Sequence, residues 1–559
     1  MSLTHSLDAL RTAPAAYPRV GRRVLWRTIL GALLASFMAG APADAERARP
    51  RGSPIDWQAC TETALLGFEC AWVPVPLDYR KPGRDRIVLA IARRRATDPA
   101  RRIGTIFVNT GGPGAPVRGF VAGAAESRLS PEVRALFDVL AVDPRGVGAS
   151  TAVQCFDSDL EYTATLGAVI NAPRTPTEIS SARTRAQRYG KACESRVGPL
   201  LKHVSTLNVV RDFERLRAAL GEDRINYIGF SYGTLVGATY AALYPHRVRA
   251  MVLDGNVDPQ RRTNDRLGNK FERAGGFELA LDGFLSACDA AGPGCAFAGN
   301  ARAKYHALIA TLARGPVATS DGILSFSDVT SPLARRLYSL ARFPEAAEAL
   351  QAAYLAVNPA LTSDDQGNFN LSPVPSEGSA NPPPAYSYGG SDALFAINCV
   401  DAPLPRHPSA YAGFAAWFES THPSFGRAEA FSELPCATWP AVTDDRYRGP
   451  WTSRADTPVL IINSTYDPAT PYRFAQRMRQ QLGHARLLTL DGFGHCSQAS
   501  ACVYDWLERY LVDRQAPPDG TRCAQDLPPF PSPGQLRLTG ALVPLGGASP
   551  IEPIPGWMP

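Results

Sequence analysis

The chain has no CxxC pair and no HExxH, and its eight histidines are scattered, so the sequence holds no metal-ligand pattern and implies no cofactor. Lys/Arg-rich runs are missing beyond the N-terminal region. The formal charge of +6 falls to about +3 once the five arginines and two aspartates of residues 1–45 are set aside. So mild a balance excludes an electrostatic nucleic-acid footprint. A long apolar run is missing as well. Thr28–Gly40 is about a dozen residues, short of the roughly 20 that a membrane span requires, so no stable membrane insertion is expected after its removal.

What is present instead at the N-terminus reads as an export signal, residues 1–45. Arg19, Arg22, Arg23 and Arg27 give a positive lead, Thr28–Gly40 the apolar segment, and Ala43-Asp44-Ala45 a small-x-small cleavage site. Eleven cysteines suit an exported, oxidised protein, placed outside the cell or in its envelope. Their spacing suggests local pairs: Cys60 with Cys70, Cys155 with Cys193, Cys288 with Cys295, Cys399 with Cys436, and Cys502 with Cys523. Spacing does not settle connectivity, so other pairings stay open; an odd count leaves one thiol over, which we assign to Cys496. With 559 residues, 45% of them hydrophobic, the chain can bury a large core and form more than one domain.

The rest is organised around Ile225–Gly233. An apolar strand runs into Gly229-Phe230-Ser231-Tyr232-Gly233, and Thr234–Tyr244 follows as a helix. A strand that turns at once into a helix strains the middle residue, and glycines two positions either side remove colliding side chains. The Ser231 hydroxyl is then held over the sheet end at a helix N-terminus. Taken alone, the pentapeptide also fits an ordinary glycine turn.

In chain order, Trp72–Leu77 and Arg86–Arg94 read as antiparallel strands. Gly104–Asn109 is a buried strand that ends in Thr110-Gly111-Gly112-Pro113-Gly114, where unobstructed backbone N–H groups can face a ligand. Phe137–Val142 is a strand followed by Asp143-Pro144-Arg145-Gly146, whose charged side chains we expect to brace neighbouring loops. Asn208–Leu220 reads as an amphipathic helix with Asn208 as N-cap and Val209, Phe213, Leu216 and Leu220 on one face. Ala250–Leu253 is the next strand. Alternation then stops for roughly 190 residues of mainly helical period and resumes with the strands Pro458–Asn463 and Ala485–Leu490. Alternating strands and helices predict a mostly parallel sheet with helices on both faces. The expected layout is a core of residues 46–259 and 451–524, a largely helical cap inserted at 260–450, and a Pro/Gly-rich tail at 525–559.

Asp467 and His495 each stand just past a strand end, one strand–helix unit apart, at the edge that carries Ser231. A serine hydroxyl is a weak nucleophile, so a neutral imidazole must take its proton, and a carboxylate must hold the imidazole. The order Ser231, Asp467, His495 predicts a catalytic triad in the α/β-hydrolase arrangement. Activity should therefore fall on acidification as the imidazole protonates. The N–H of Tyr232, with the Gly111-Gly112 segment, is the expected oxyanion hole, each donor worth about 3 kcal/mol of barrier.

Gly-Gly-Pro-Gly at 111–114, Asp-Pro-Arg-Gly-x-Gly-x-Ser at 143–150, Gly-Phe-Ser-Tyr-Gly at 229–233, Asp-Pro-x-Thr-Pro at 467–471 and Gly-His at 494–495 resemble the secreted tripeptidyl aminopeptidase branch of the prolyl-aminopeptidase family. Ala-Ile-Asn-Cys-Val-Asp at 396–401 and the Cys502–Cys523 ending resemble it too, so the resemblance spans about residues 55–524. It implies the α/β-hydrolase fold and a serine exopeptidase that takes short peptides from free N-termini, with carboxylates near the cap binding the substrate ammonium. Asp401 and Asp258 are the candidates for that role. Two positions depart from the pattern. Thr110 stands where proline or histidine is usual, and Cys496 where glycine is usual; the thiol is expected either to narrow the pocket or to pair. An exported carboxylesterase with the same triad is the second reading, and an idle binding domain the third.

Overall fold

The computed structural model describes residues 55–167, 169–320, 322–361, 392–497 and 500–531. The expected export signal, the Pro/Ser/Gly-rich stretch 372–391 and most of the tail lie outside these residues.

Twelve strands are found among them: β1 Gln58–Ala59, β2 Glu69–Pro76, β3 Arg86–Arg94, β4 Gly104–Asn109, β5 Phe137–Val142, β6 Ile225–Phe230, β7 Val248–Asp254, β8 Val317–Thr319, β9 Gly322–Leu324, β10 Val459–Tyr466, β11 Ala485–Phe493 and β12 Arg522–Ala524. Ten form one sheet in the order β1-β2-β3-β5-β4-β6-β7-β10-β11-β12. The pairs from β1 to β3, and β3 with β5, are antiparallel; every later pair is parallel. The central strands are apolar runs because both faces are covered. Alternate residues serve opposite faces. Phe107, Tyr227 and Met251 pack with Val209, Phe213 and Leu216 of helix Thr206–Ala219, and with Leu235 and Val236 of helix Gly233–Leu243. Ile106, Ile228 and Val252 pack on the other face with Val133 of helix Pro131–Leu136, and with Val503, Tyr510 and Leu511 of helix Ala501–Asp513. A buried side chain of this size stabilises by about 1.5–3 kcal/mol, so one face of a single helix is a large share of the net.

The segment between β7 and β10 is mostly helical, and its helices Arg266–Ala291, Ala301–Arg314, Phe326–Arg336 and Phe343–Val357 enclose an apolar core of their own around Phe277, Phe284, Leu308 and Phe343. Two features there escape helical periodicity. The short antiparallel pair β8–β9 interrupts the helices, and Phe530 from beyond β12 packs against Phe284 and Phe343. β12, at the end of the expected core segment 451–524, was not read as a strand; it pairs parallel to β11 next to the Cys502–Cys523 disulfide. The other four proposed disulfides are also formed, and Cys496 is free and buried. Among the described residues no helix is long and apolar enough to cross a membrane.

Asn208 is not the N-cap. The helix begins at Thr206, and Asn208 is buried within it. The first-turn N–H of Thr206 donates 2.8 Å to a carboxylate oxygen of Asp401, which is 195 residues away. A remote acid satisfies the orphan donor that local sequence seemed to assign to asparagine. The Asp143–Arg145 loop braces as expected. Asp143 accepts from the N–H groups of Val117, Arg118 and Ala149. The fully buried Arg145 makes a bidentate pair with Asp212 and donates to the carbonyls of Pro76, Leu77 and His203.

Candidate active site

Ser231 follows β6 with φ +54°, a left-handed conformation that a side chain adopts only under strain. Its neighbours make the turn possible. A Cβ on Gly229 would stand 2.5 Å from the Gly233 carbonyl oxygen, and one on Gly233 would stand 2.5 Å from the Asn109 carbonyl oxygen. Both are shorter than any contact a real Cβ makes, so the two flanking glycines are a steric requirement. The Ser231 N–H donates to the Asp254 carbonyl at 2.9 Å, and its own carbonyl receives the Thr234 hydroxyl at 2.6 Å. These bonds hold the elbow between β6 and helix Gly233–Leu243 against the end of β7.

Asp467 follows β10 directly, and His495 stands two residues past β11, which runs three residues further than periodicity suggested. Both are buried. Nδ1 of His495 lies 3.0 Å from each Asp467 carboxylate oxygen. Four donors hold that carboxylate: the N–H groups of Ala469, Thr470 and Cys496 at 2.9, 2.8 and 3.1 Å, and the Thr470 hydroxyl at 2.8 Å. An acid so fully solvated by fixed donors is fixed in direction, and it favours the tautomer with the proton on Nδ1 and Nε2 as the acceptor. The Tyr338 carbonyl receives the His495 N–H at 2.8 Å, and the Tyr338 ring stands edge-on to the imidazole. Ser231 and His495 line one small cavity of about 80 Å³, together with Thr110, Gly112, Tyr232 and Tyr338. A larger cavity of about 710 Å³ lies between helix Pro176–Val197 and residues 428–435 and contains neither side chain.

Of the expected oxyanion donors, two are available and one is not. The N–H groups of Tyr232 and Gly112 have no acceptor among the described residues. The Gly111 N–H is engaged by the Asn109 side-chain oxygen at 3.0 Å. Gly111 serves by being small. At φ +100° its missing Cβ would stand 2.6 Å from the Phe230 carbonyl oxygen and 2.9 Å from the Ser231 Cβ. The loop can therefore lie directly on the elbow. Gly114 plays the same part towards the helical segment, since a Cβ there would meet the Leu394 N at 2.6 Å.

Neither carboxylate expected to bind an ammonium group lines this cavity. Asp258 caps helix Pro259–Asn264 and is held by Arg477 and Gln481. Asp401 accepts from the Thr206 N–H and hydroxyl, and Thr206 in turn accepts from the Tyr232 hydroxyl. Asp401 thus steadies the Tyr232 side chain. Burial pushes its carboxyl up to about 6, with the Thr206 bonds opposing. Cys496 neither narrows the cavity nor pairs. At φ +61° it occupies the left-handed position that suits glycine, and its thiol donates to the Asp254 carbonyl, the same oxygen that accepts the Ser231 N–H. Burial raises that thiol well above its ordinary range.

The sequence reading missed the side of the cavity formed by the helical segment. It carries Arg262, Arg266, Lys270 and Arg273, backed by the buried carboxylates Glu429 and Glu433. Their helical spacing was legible in the sequence. The partners, more than 150 residues away, were not.

Comparison with known proteins agrees with the fold. The family described as "alpha/beta hydrolase fold" matches residues 105–290, and the one described as "TAP-like protein" matches residues 422–523. The chain is 30% identical over 502 residues to the serine protease Hip1 of Mycobacterium tuberculosis, covering 86% of this chain and 93% of that protein. It is 31% identical over 516 residues to the tripeptidyl aminopeptidase of Streptomyces lividans, covering 88% and 90%. It is 30% identical over 512 residues to carboxylesterase B of Mycobacterium tuberculosis, covering 88% and 95%.

Proposed function

This chain belongs to the α/β-hydrolase family, in the group that includes tripeptidyl aminopeptidase and serine protease Hip1, and from that premise we propose that it is an exported serine exopeptidase releasing short peptides, tripeptides foremost, from free N-termini. The observation that supports it most is the Asp467–His495 relay opening on the same cavity as Ser231 and two free N–H groups.

In this mechanism Ser231 Oγ attacks the scissile carbonyl as Nε2 of His495 takes its proton. Asp467 holds the imidazole by Nδ1 and stabilises the imidazolium. Charge gathering on the carbonyl oxygen meets the N–H groups of Tyr232 and Gly112. The imidazolium protonates the departing amine, the C–N bond breaks, and an acyl-enzyme on Ser231 remains. Water, deprotonated by the same imidazole, then releases the acyl product. Residues 260–450 act as a cap that excludes bulk water from these steps. The five disulfides fit an oxidising location, outside the cell or in its envelope.

Tripeptide–4-nitroanilides with free and with acetylated N-termini test this reading. Turnover of the free forms, at least tenfold preferred, supports an exopeptidase; equal turnover of both rejects it. The carboxylesterase among the relatives gives a second reading, in which short acyl esters are hydrolysed and peptides are not. A fluorophosphonate that fails to label Ser231 would reject both.

A further inference from the structure

The cap side of the Ser231 cavity is a wall of donors. Arg262, Arg266 and Asn269 line it and are all more than nine-tenths buried. Arg266 pairs with Glu433, Lys270 with Glu429 and Glu433, and Arg273 with Glu429. Burial pulls Lys270 downward; of the three guanidinium groups, Arg266 and Arg273 are paired with these carboxylates, and Arg266 also lies within reach of Asp401. The unmatched one is Arg262. Its fork donates to the Asn398 side-chain oxygen at 2.6 Å and lies over the Tyr232 ring, and it makes no ion pair among the described residues. A buried guanidinium with free N–H groups and no counter-ion is costly unless something completes it. Two further buried atoms on this wall lack a partner, Nδ2 of Asn269 and Nε of Arg266, and both are donors. The one unpartnered carboxylate oxygen nearby, Oε2 of Glu433, belongs to a residue that does not line the cavity.

We propose that this wall is a carboxylate subsite: the cavity selects substrates with an anionic carboxylate close to the scissile carbonyl, held by the Arg262 fork and the Asn269 amide, with Arg266 Nε–H as a third donor. A planar fork of N–H groups matches two carboxylate oxygens, and Lys does not replace it. The inference rests on the serine-hydrolase reading above for what happens next to the subsite. The carboxylate has two possible sources, an acidic side chain on the acyl side or the free α-carboxylate of a short leaving peptide.

Paired substrates separate the sources. Ala-Ala-Glu-4-nitroanilide against its Gln counterpart reads the acyl side; tetra-alanine against its C-terminal amide reads the leaving side. The anion should give at least tenfold higher kcat/KM in one arm. Arg262→Gln and Asn269→Ala should each pull that ratio towards one. A ratio at or below one in both arms overturns the proposal, and so does a preference that both variants leave intact. Glutarate against glutaramide, as inhibitors of the unaltered protein, gives a readout that needs no variant; equal inhibition overturns the subsite. If no substrate is turned over and Ser231 is not labelled, the hydrolase reading fails separately. Glutarate that raises the thermal midpoint of the unaltered protein but not of Arg262→Gln then still supports the subsite, and no shift rejects it.

Discussion

The sheet-side wall of the Ser231 cavity is built from short loops at strand ends, with uncharged backbone donors and a hydroxyl facing inward. The cap-side wall is built from helix side chains, and four of them are cationic groups, three of these tied to buried acids. The first wall is shaped by steric minimums, glycines that cannot be larger without collision. The second is shaped by charge balance. Chemistry common to many substrates calls for the first kind of construction, and discrimination among substrates calls for the second.

Removing the proposed nucleophile should separate the two walls most completely. Ser231→Ala is expected to lower kcat by about 10⁴–10⁶-fold while the thermal midpoint stays close to that of the parent, because the loss is on the chemical side alone. A comparable loss of stability would place Ser231 in the fold rather than in the reaction.

On the cap side a somewhat smaller change should appear as stability. Glu429→Gln strips the acid shared by Lys270 and Arg273, all three of them buried. Breaking a buried pair costs about 3–5 kcal/mol, measurable by denaturant titration. A variant as stable as its parent would mean that this charge cluster is not desolvated.

Gly111→Ala should act on both counts. Its methyl would have to enter the space held by the Phe230 carbonyl, with φ in the left-handed region. We expect about 2–3 kcal/mol of destabilisation and a fall in kcat of at least tenfold. Asn109→Ala, which frees the Gly111 amide without filling that space, should be milder in rate.

Asp401, behind the Tyr232 side chain, gives the fold a pH dependence. Its carboxyl is pushed up to about 6 by burial, so the folded chain holds the proton more tightly than the unfolded one. The resulting stability is complete below the unfolded value near 3.8 and is lost as pH rises through about 6. Arg266 and Arg446 lie close enough to oppose the shift. Replacing it by Asn should flatten the stability profile between about pH 4 and 7, by up to about 3 kcal/mol. An unchanged profile would move the titrating group elsewhere, with Asp254, also raised to about 6, the next to vary.

The smallest effect is expected from thiol reagents. Cys496 is buried against Asp254 and its thiol is held protonated, so a maleimide should label it only in denaturant and leave activity unchanged. Rapid labelling with loss of activity would reverse that assignment.

Much of the sheet-side wall was legible in residue order. Ile225–Gly233 announces its own turn, since the glycine spacing and the flanking periods are local properties. Asp467 and His495 could be placed at one edge because each follows an apolar strand of ordinary length. Gly111 was misjudged as a donor because its amide partner is a side chain two residues away, Asn109, whose rotamer no spacing rule reveals. Asp401 was misjudged because it lies within a helix, Asp392–Asp401, whose docking puts it on a different helix terminus. The cap-side cations carry no sequence signal beyond helical spacing, and only the structure shows them buried against acids more than 150 residues away.

Residue order alone determined which central segments are strands, where the sharp turn falls, and which side chains follow those strands, because these depend on backbone sterics and apolar period over a few residues. The tertiary structure alone decided which amides stay free, which acid serves which donor, and which sign of charge faces Ser231. Those depend on desolvation and on partners far apart in the chain, and both exist only once the helices after β7 have closed over the sheet.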